Sequence, residues 1–204
     1  HSAPKKGPYG LDVIASVLHS GVRKKRSRVD QHDSKLVYDS IIYCLNSLAN
    51  IVESGKSVQI LAEMIVPSRG SDSDTLFVTW LTRWLVSETS SFRDAVVEST
   101  FGDSPSKHAE RRLDDDEEEK LVTTANGFIL LCCLIVDEGE DASRSRSLYE
   151  IILEEIPQEG ADAKVRFLKN TLKAFMNFYR YNVGDLSVAI VTPVKDLIKR
   201  LEAV

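Results

Sequence analysis

Asp114-Asp115-Asp116-Glu117-Glu118-Glu119-Lys120-Leu121-Val122-Thr123-Thr124-Ala125-Asn126-Gly127-Phe128-Ile129-Leu130-Leu131-Cys132-Cys133-Leu134-Ile135-Val136 decides the fold. Six acids open it, and nine uninterrupted apolar residues close it. Carboxylates in a first turn suit the positive end of a helix dipole. A helix from about Asp115 to Val136 follows, with a second half that has no polar face. Such a helix belongs at the centre of a packed array. Nine apolar residues make about half a membrane span.

Working outward, the apolar spacing predicts helices throughout. Downstream, Leu148, Ile151, Ile152 and Ile156 form a stripe ended by Pro157. Val165, Leu168, Leu172, Phe175 and Tyr179 form the next, capped by Asp162 and broken at Asn182-Val183-Gly184. The last segment carries Leu186, Ile190, Val194, Leu197 and Leu201 on one face. Pro193 is expected to divide it, with Thr192 as cap of a new helix. Upstream, a short helix with Leu11, Ile14, Ala15 and Leu18 is stopped by Gly21, and residues 20–33 are read as a loop. Ser34 caps a helix carrying Tyr38, Ile41, Ile42, Leu45, Leu48, Ala49 and Val52. A shorter one spans Ser57 to Ile65. Asp74 caps another with Phe77, Trp80, Leu81, Trp84 and Leu85, and a partner begins near Ser90. Trp80 and Trp84, one turn apart, read as core.

The expectation is one all-α domain over residues 1–204 with about nine helices. Its charged, flexible insertion covers about 102–116. Consecutive helices pair: 34–54 with 57–65, 74–88 with 90–99, 115–137 with 144–156, and 162–181 with 186–203. The loose period, near 35–45 residues, fits HEAT or armadillo-like repeats, an α-solenoid. An irregular helical bundle is the alternative.

An apolar fraction of 43% supports a sizeable core. A net charge of −5 and a pI near 5.5 argue against direct nucleic-acid binding by the chain as a whole. Cys44, Cys132 and Cys133 all lie in apolar helical patterns, without CxxC or a companion histidine, and read as buried free thiols. The first ten residues hold no apolar signal segment, so an intracellular chain is expected. His1-Ser2 does not resemble a natural start, which suggests a fragment of a longer protein.

Catalysis needs converging polar groups. His1, His19, His32 and His108 fall at the terminus or near expected loops, in no ligand spacing. There is no GxSxG, P-loop or HExxH. Six successive acids splay around a helix axis and suit a solvated face better than a metal. No cofactor, metal or small-molecule substrate is expected. The basic run Arg23-Lys24-Lys25-Arg26 reads as a solvated loop, as an import signal, or as a contact for phosphate or an acidic protein surface. Tyr179 to Asn182 ends a helix and is a candidate binding rim.

The words Ala125-Asn126-Gly127-Phe128-Ile129-Leu130-Leu131-Cys132-Cys133-Leu134, after Asp116 to Glu119, resemble the C-terminal domain of the wings apart-like (Wapl) cohesin release factors. So do Leu153 to Pro157, Leu172 to Asn177 and Val194 to Glu202, in that order, and upstream Leu45 to Ser54. The resemblance covers roughly residues 34–204. Cys132-Cys133 departs from the small residue and cysteine typical of the family, as in a divergent, fungal-type member. The resemblance implies HEAT-like repeats without enzymatic activity. It implies nuclear, chromatin-associated action with a HEAT-repeat cohesin regulator and the cohesin ring, including its ATPase head and kleisin-associated subunits. It places a protein-binding surface at Glu118 and Glu119. The alternative is a generic HEAT or armadillo adaptor with other partners.

Overall fold

The computed structural model describes residues 9–26, 31–52, 57–66, 74–89, 115–138 and 146–203. They form eight α-helices: α1 (Tyr9–Arg26), α2 (Gln31–Val52), α3 (Ser57–Glu63), α4 (Phe77–Thr89), α5 (Asp115–Val136), α6 (Leu148–Glu154), α7 (Ala161–Val183) and α8 (Val188–Leu201). A 3-10 turn, Gly184–Ser187, joins the last two. Two short strands, β1 (Ile65–Val66) and β2 (Thr75–Leu76), pair antiparallel between α3 and α4. The all-α reading holds. The helix expected at 90–99 and nearly all of the charged insertion lie outside the described residues.

The core is organised around α5. From Leu121 to Ile135 every residue except Val122 and Ile129 is buried, and Phe128, Leu130, Leu131, Cys132 and Leu134 are fully so. α5 touches α2, α4, α6, α7 and α8. By length and composition Glu117–Val136 could cross a bilayer. Its apolar neighbours here are other helices, which fill the same role as lipid tails. The burial extends upstream of the nine-residue apolar run because Thr123, Thr124, Asn126 and Gly127 are also enclosed.

Two glycines mark close helix approaches. A Cβ on Gly127 would fall 2.4 Å from Leu85 Cδ2, so α4 and α5 meet where only hydrogen fits. A Cβ on Gly21 would lie 3.2 Å from Ile41 Cγ1. Gly21 therefore does not stop α1. The helix continues through it to Arg26, because tertiary contact with α2 outweighs a propensity deficit of about 1 kcal/mol. The segment expected as a loop is largely helical. His19, expected near a loop, is buried in α1 with its ring 4.9 Å from that of Trp80. Trp80 is half-buried and stacks on the buried Trp84.

Other helix boundaries also differ. α2 begins at Gln31, so Ser34 lies inside it and is not its cap. α3 ends at Glu63 because the chain turns extended. Val66 is buried while Ile65 is exposed, and the Phe77 amide donates to the Met64 carbonyl at 2.8 Å. Asp74 therefore precedes a strand rather than capping α4. Gly160, with φ of 82°, is the N-cap of α7, and Asp162 sits in its first turn as a dipole partner. Pro193 is inside α8 and does not start a new helix. It and Thr192 face solvent, where water can take over the hydrogen bond that proline cannot make. Ile190 is exposed and off the buried stripe. Cys44 is half-buried, whereas Cys132 and Cys133 are buried.

Helix pairing is only partly sequential. α2–α3, α5–α6 and α7–α8 do touch, but the broadest contacts of α2 are with α1 and α5. Polar clips fix the rim. Arg83 of α4 grips Glu155 with Nε at 2.6 Å and Nη2 at 2.8 Å. Lys164 donates to the Leu153 carbonyl at 2.7 Å, and Arg200 of α8 pairs with Asp137. At the start of α6, Ser147 and Glu150 form a reciprocal capping box. There too, both Glu138 oxygens accept from the Leu148 amide, at 2.8 and 2.7 Å.

Candidate functional surfaces

The acidic run begins α5 as its charge pattern requires. Asp115 and Asp116 are helical, and Glu117, Glu118, Glu119 and Lys120 are half-buried rather than fully solvated. The cause is position: Leu121, one residue on, is already in the core. Glu117, Glu119 and Lys120 each take part in a polar interaction. Glu118 makes no hydrogen bond or ion pair among the described residues. The two glutamates singled out by the sequence are thus unequal: Glu119 is engaged, and Glu118 is available to a partner.

Arg23, Lys24, Lys25 and Arg26 form the last turn of α1, a favourable place for cations beside the negative helix end. Their side chains lie outside the described residues. α1 and α5 both pack on α2. Nothing described joins the basic turn to the acidic one as a single surface.

Among the described residues no group of three or more His, Cys, Asp or Glu could hold a metal ion. His32 is described only as backbone within α2. Burial pushes the Cys132 thiol far up from its ordinary range, with the neighbouring Cys133 adding to the effect. A thiol so held stays protonated and is a poor nucleophile. The hydroxyls of Thr123 and Thr124 are buried without a hydrogen-bond partner.

A second charged surface was not singled out by sequence reasoning. On α7, Arg166, Lys173 and Arg180 are exposed and seven residues apart, with half-buried Asn170 and Asn177 between them. The signal is present in the sequence as a heptad of cations opposite the apolar stripe. The rim expected at Tyr179 to Asn182 is part of this end. Arg180 and Asn182 are exposed, while Tyr179 is half-buried against Phe175 and Phe178. Burial raises the Tyr179 hydroxyl above its ordinary range. Residues 161–202 hold eight Lys and Arg against four Asp and Glu, on a chain of net charge −5. Compared with protein-family models, curated proteins and solved structures, the chain matches none.

Proposed function

We propose that this chain is a non-enzymatic protein-interaction module of a Wapl-like cohesin release factor, acting in the nucleus on chromatin. In this reading it binds subunits of the cohesin ring, its ATPase head above all, together with a HEAT-repeat regulator. By binding one state of the ring better than another, it shifts the population towards opening and release. The acidic start of α5 is the proposed contact.

The observation that carries the site is Glu118. It stands half-buried on the most firmly packed helix, without a partner among the described residues. A partly desolvated carboxylate on a rigid element meets a Lys or Arg with less ordering cost than a mobile one. The family reading rests on its sequence words. Leu45–Ser54 lies on α2 as far as Val52, and Ala125–Leu134 lies on α5. HEAT-like character is the finer proposal. The ordered pairs α5–α6 and α7–α8 favour it, and the contact of α5 with α2 makes the array irregular.

The test is co-purification with the cohesin ATPase head at fixed ionic strength, since screening alters charged contacts. The chain should co-elute, Glu118→Lys should weaken the complex, and Glu118→Gln should weaken it less. Glu118→Lys should change stability by no more than about 1 kcal/mol, the scale of a lost dipole interaction. Binding unaffected by Glu118→Lys would retain the partner and remove the site. Failure to bind the head or any other ring subunit would end the cohesin reading and leave an adaptor with other partners.

A further inference from the structure

We propose that the outer face of α7 is a docking ridge for an acidic helix of a partner protein, with carboxylates seven residues apart. Arg166, Lys173 and Arg180 drift only about 20° per step around the helix and stand about 10 Å apart along it. Asn170 and Asn177 fill the intervals on the same face and bring both amide donors and carbonyl acceptors.

Two observations set this face apart from an ordinary solvated one. Exposed helix faces gain stability from acids and bases placed three or four residues apart, and like charges at those spacings are unfavourable. α7 holds one acid, Asp162, and then five bases: Lys164, Arg166, Lys169, Lys173 and Arg180. Asp162 lies four residues before Arg166, the favourable spacing, but the two form no ion pair, and no acid on α7 stands within four residues of Lys173 or Arg180. Arg166–Lys169 and Lys169–Lys173 are like-charge neighbours at three and four residues. Furthermore, Lys164 and Arg166 stand near the end of the helix that disfavours cations.

Of the other cations on α7 and α8, all but the exposed Lys195 have partners among the described residues. Lys164 donates to the Leu153 carbonyl, Lys169 is 2.9 Å from Glu202, and Lys199 is paired with Asp196 and Arg200 with Asp137. Arg166 and Arg180 have none among the described residues, and Lys173 only faces Glu202 at longer range. The ridge is thus a line of cations without a hydrogen-bonded ion pair among the described residues, on a chain of net charge −5.

The spacing selects the occupant. A helix lying nearly parallel or antiparallel to α7 repeats its surface every seven residues, so a carboxylate heptad meets all three cations in register. Duplex DNA does not fit this pattern as well. Three cations are few for phosphate binding, and the net negative charge of the chain opposes approach to a polyanion. The inference does not depend on the cohesin reading.

The probe is a fluorescent alanine-based helical peptide with three glutamates seven residues apart. Controls are a peptide with the same glutamates shifted off one face, a DNA duplex, and vesicles of anionic lipid. Anisotropy at low salt should rank the heptad peptide first. The triple reversal Arg166→Glu, Lys173→Glu, Arg180→Glu should weaken it about tenfold or more, as charge pairs across interfaces do. A peptide with lysines at the three positions should then bind the reversed protein and restore the affinity. Because the three side chains are exposed, the thermal midpoint of the reversed protein should stay close to that of the original, and its circular dichroism reports that it has folded. No binding of the heptad peptide, equal binding of the shifted one, or tighter binding of DNA or vesicles would each overturn the proposal.

Discussion

α5 and α7 are nearly equal in length, at 22 and 23 residues, yet opposite in design. α5 has helices on several sides, and its buried residues follow one another without a period. α7 buries Leu168, Thr171, Leu172, Ala174, Phe175 and Met176 and exposes cations on its other face. The number of neighbours a helix must satisfy dictates its pattern. Amphipathic period marks a helix with one side to hide, and loss of period marks one with none to show.

The largest effect should come from emptying the hub. Leu131→Ala should destabilise by about 2–5 kcal/mol in a urea titration, because the site is surrounded and cannot collapse. A loss of only a few tenths would equate α5 with a rim helix. Gly127→Ala should follow, at about 1–3 kcal/mol. A new methyl would press on the fully buried Leu85, and overpacking should outweigh the gain in helix propensity. Stabilisation by this substitution would mean that α4 can withdraw from α5.

Thiol labelling should also separate the regions. Cys44 should react first, though slowly, because burial raises its thiol from the ordinary range. Cys132 and Cys133 should remain unlabelled until the protein unfolds. Early reaction of Cys132 would show that the hub opens locally.

The smallest effect belongs to the rim. The hydrogen bond from Lys169 lowers the Glu202 carboxyl below its usual range. A lowered folded value means that the pair contributes above the ordinary carboxylate range. Its contribution disappears as pH falls through the depressed value. In Lys169→Ala, NMR titration should place Glu202 back near an ordinary carboxylate. An unchanged titration would remove Lys169 as the cause.

The sequence made the hub legible because burial on all sides leaves an unmistakable composition. It also marked the buried stripes of α2 and α4, where Ile42 and Trp80 alone are only half-buried. Gly21 and Pro193 misled it, since both are breakers by local propensity. One sits at a tight helix crossing, and the other faces water. The β1–β2 clasp was too short for any period to register. Glu118 was legible as a charge at a helix start. Its difference from Glu119, which takes part in a polar interaction, emerges only in the folded chain.

The grip of Glu138 on the Leu148 amide has an evolutionary consequence. It ties the end of α5 directly to the start of α6, a link that does not run along the chain between them. Chain-closure entropy rises only by about 0.6 kcal/mol for each doubling of loop length. An insertion between Glu138 and Arg146 should therefore leave this link, and the hub behind it, as they are.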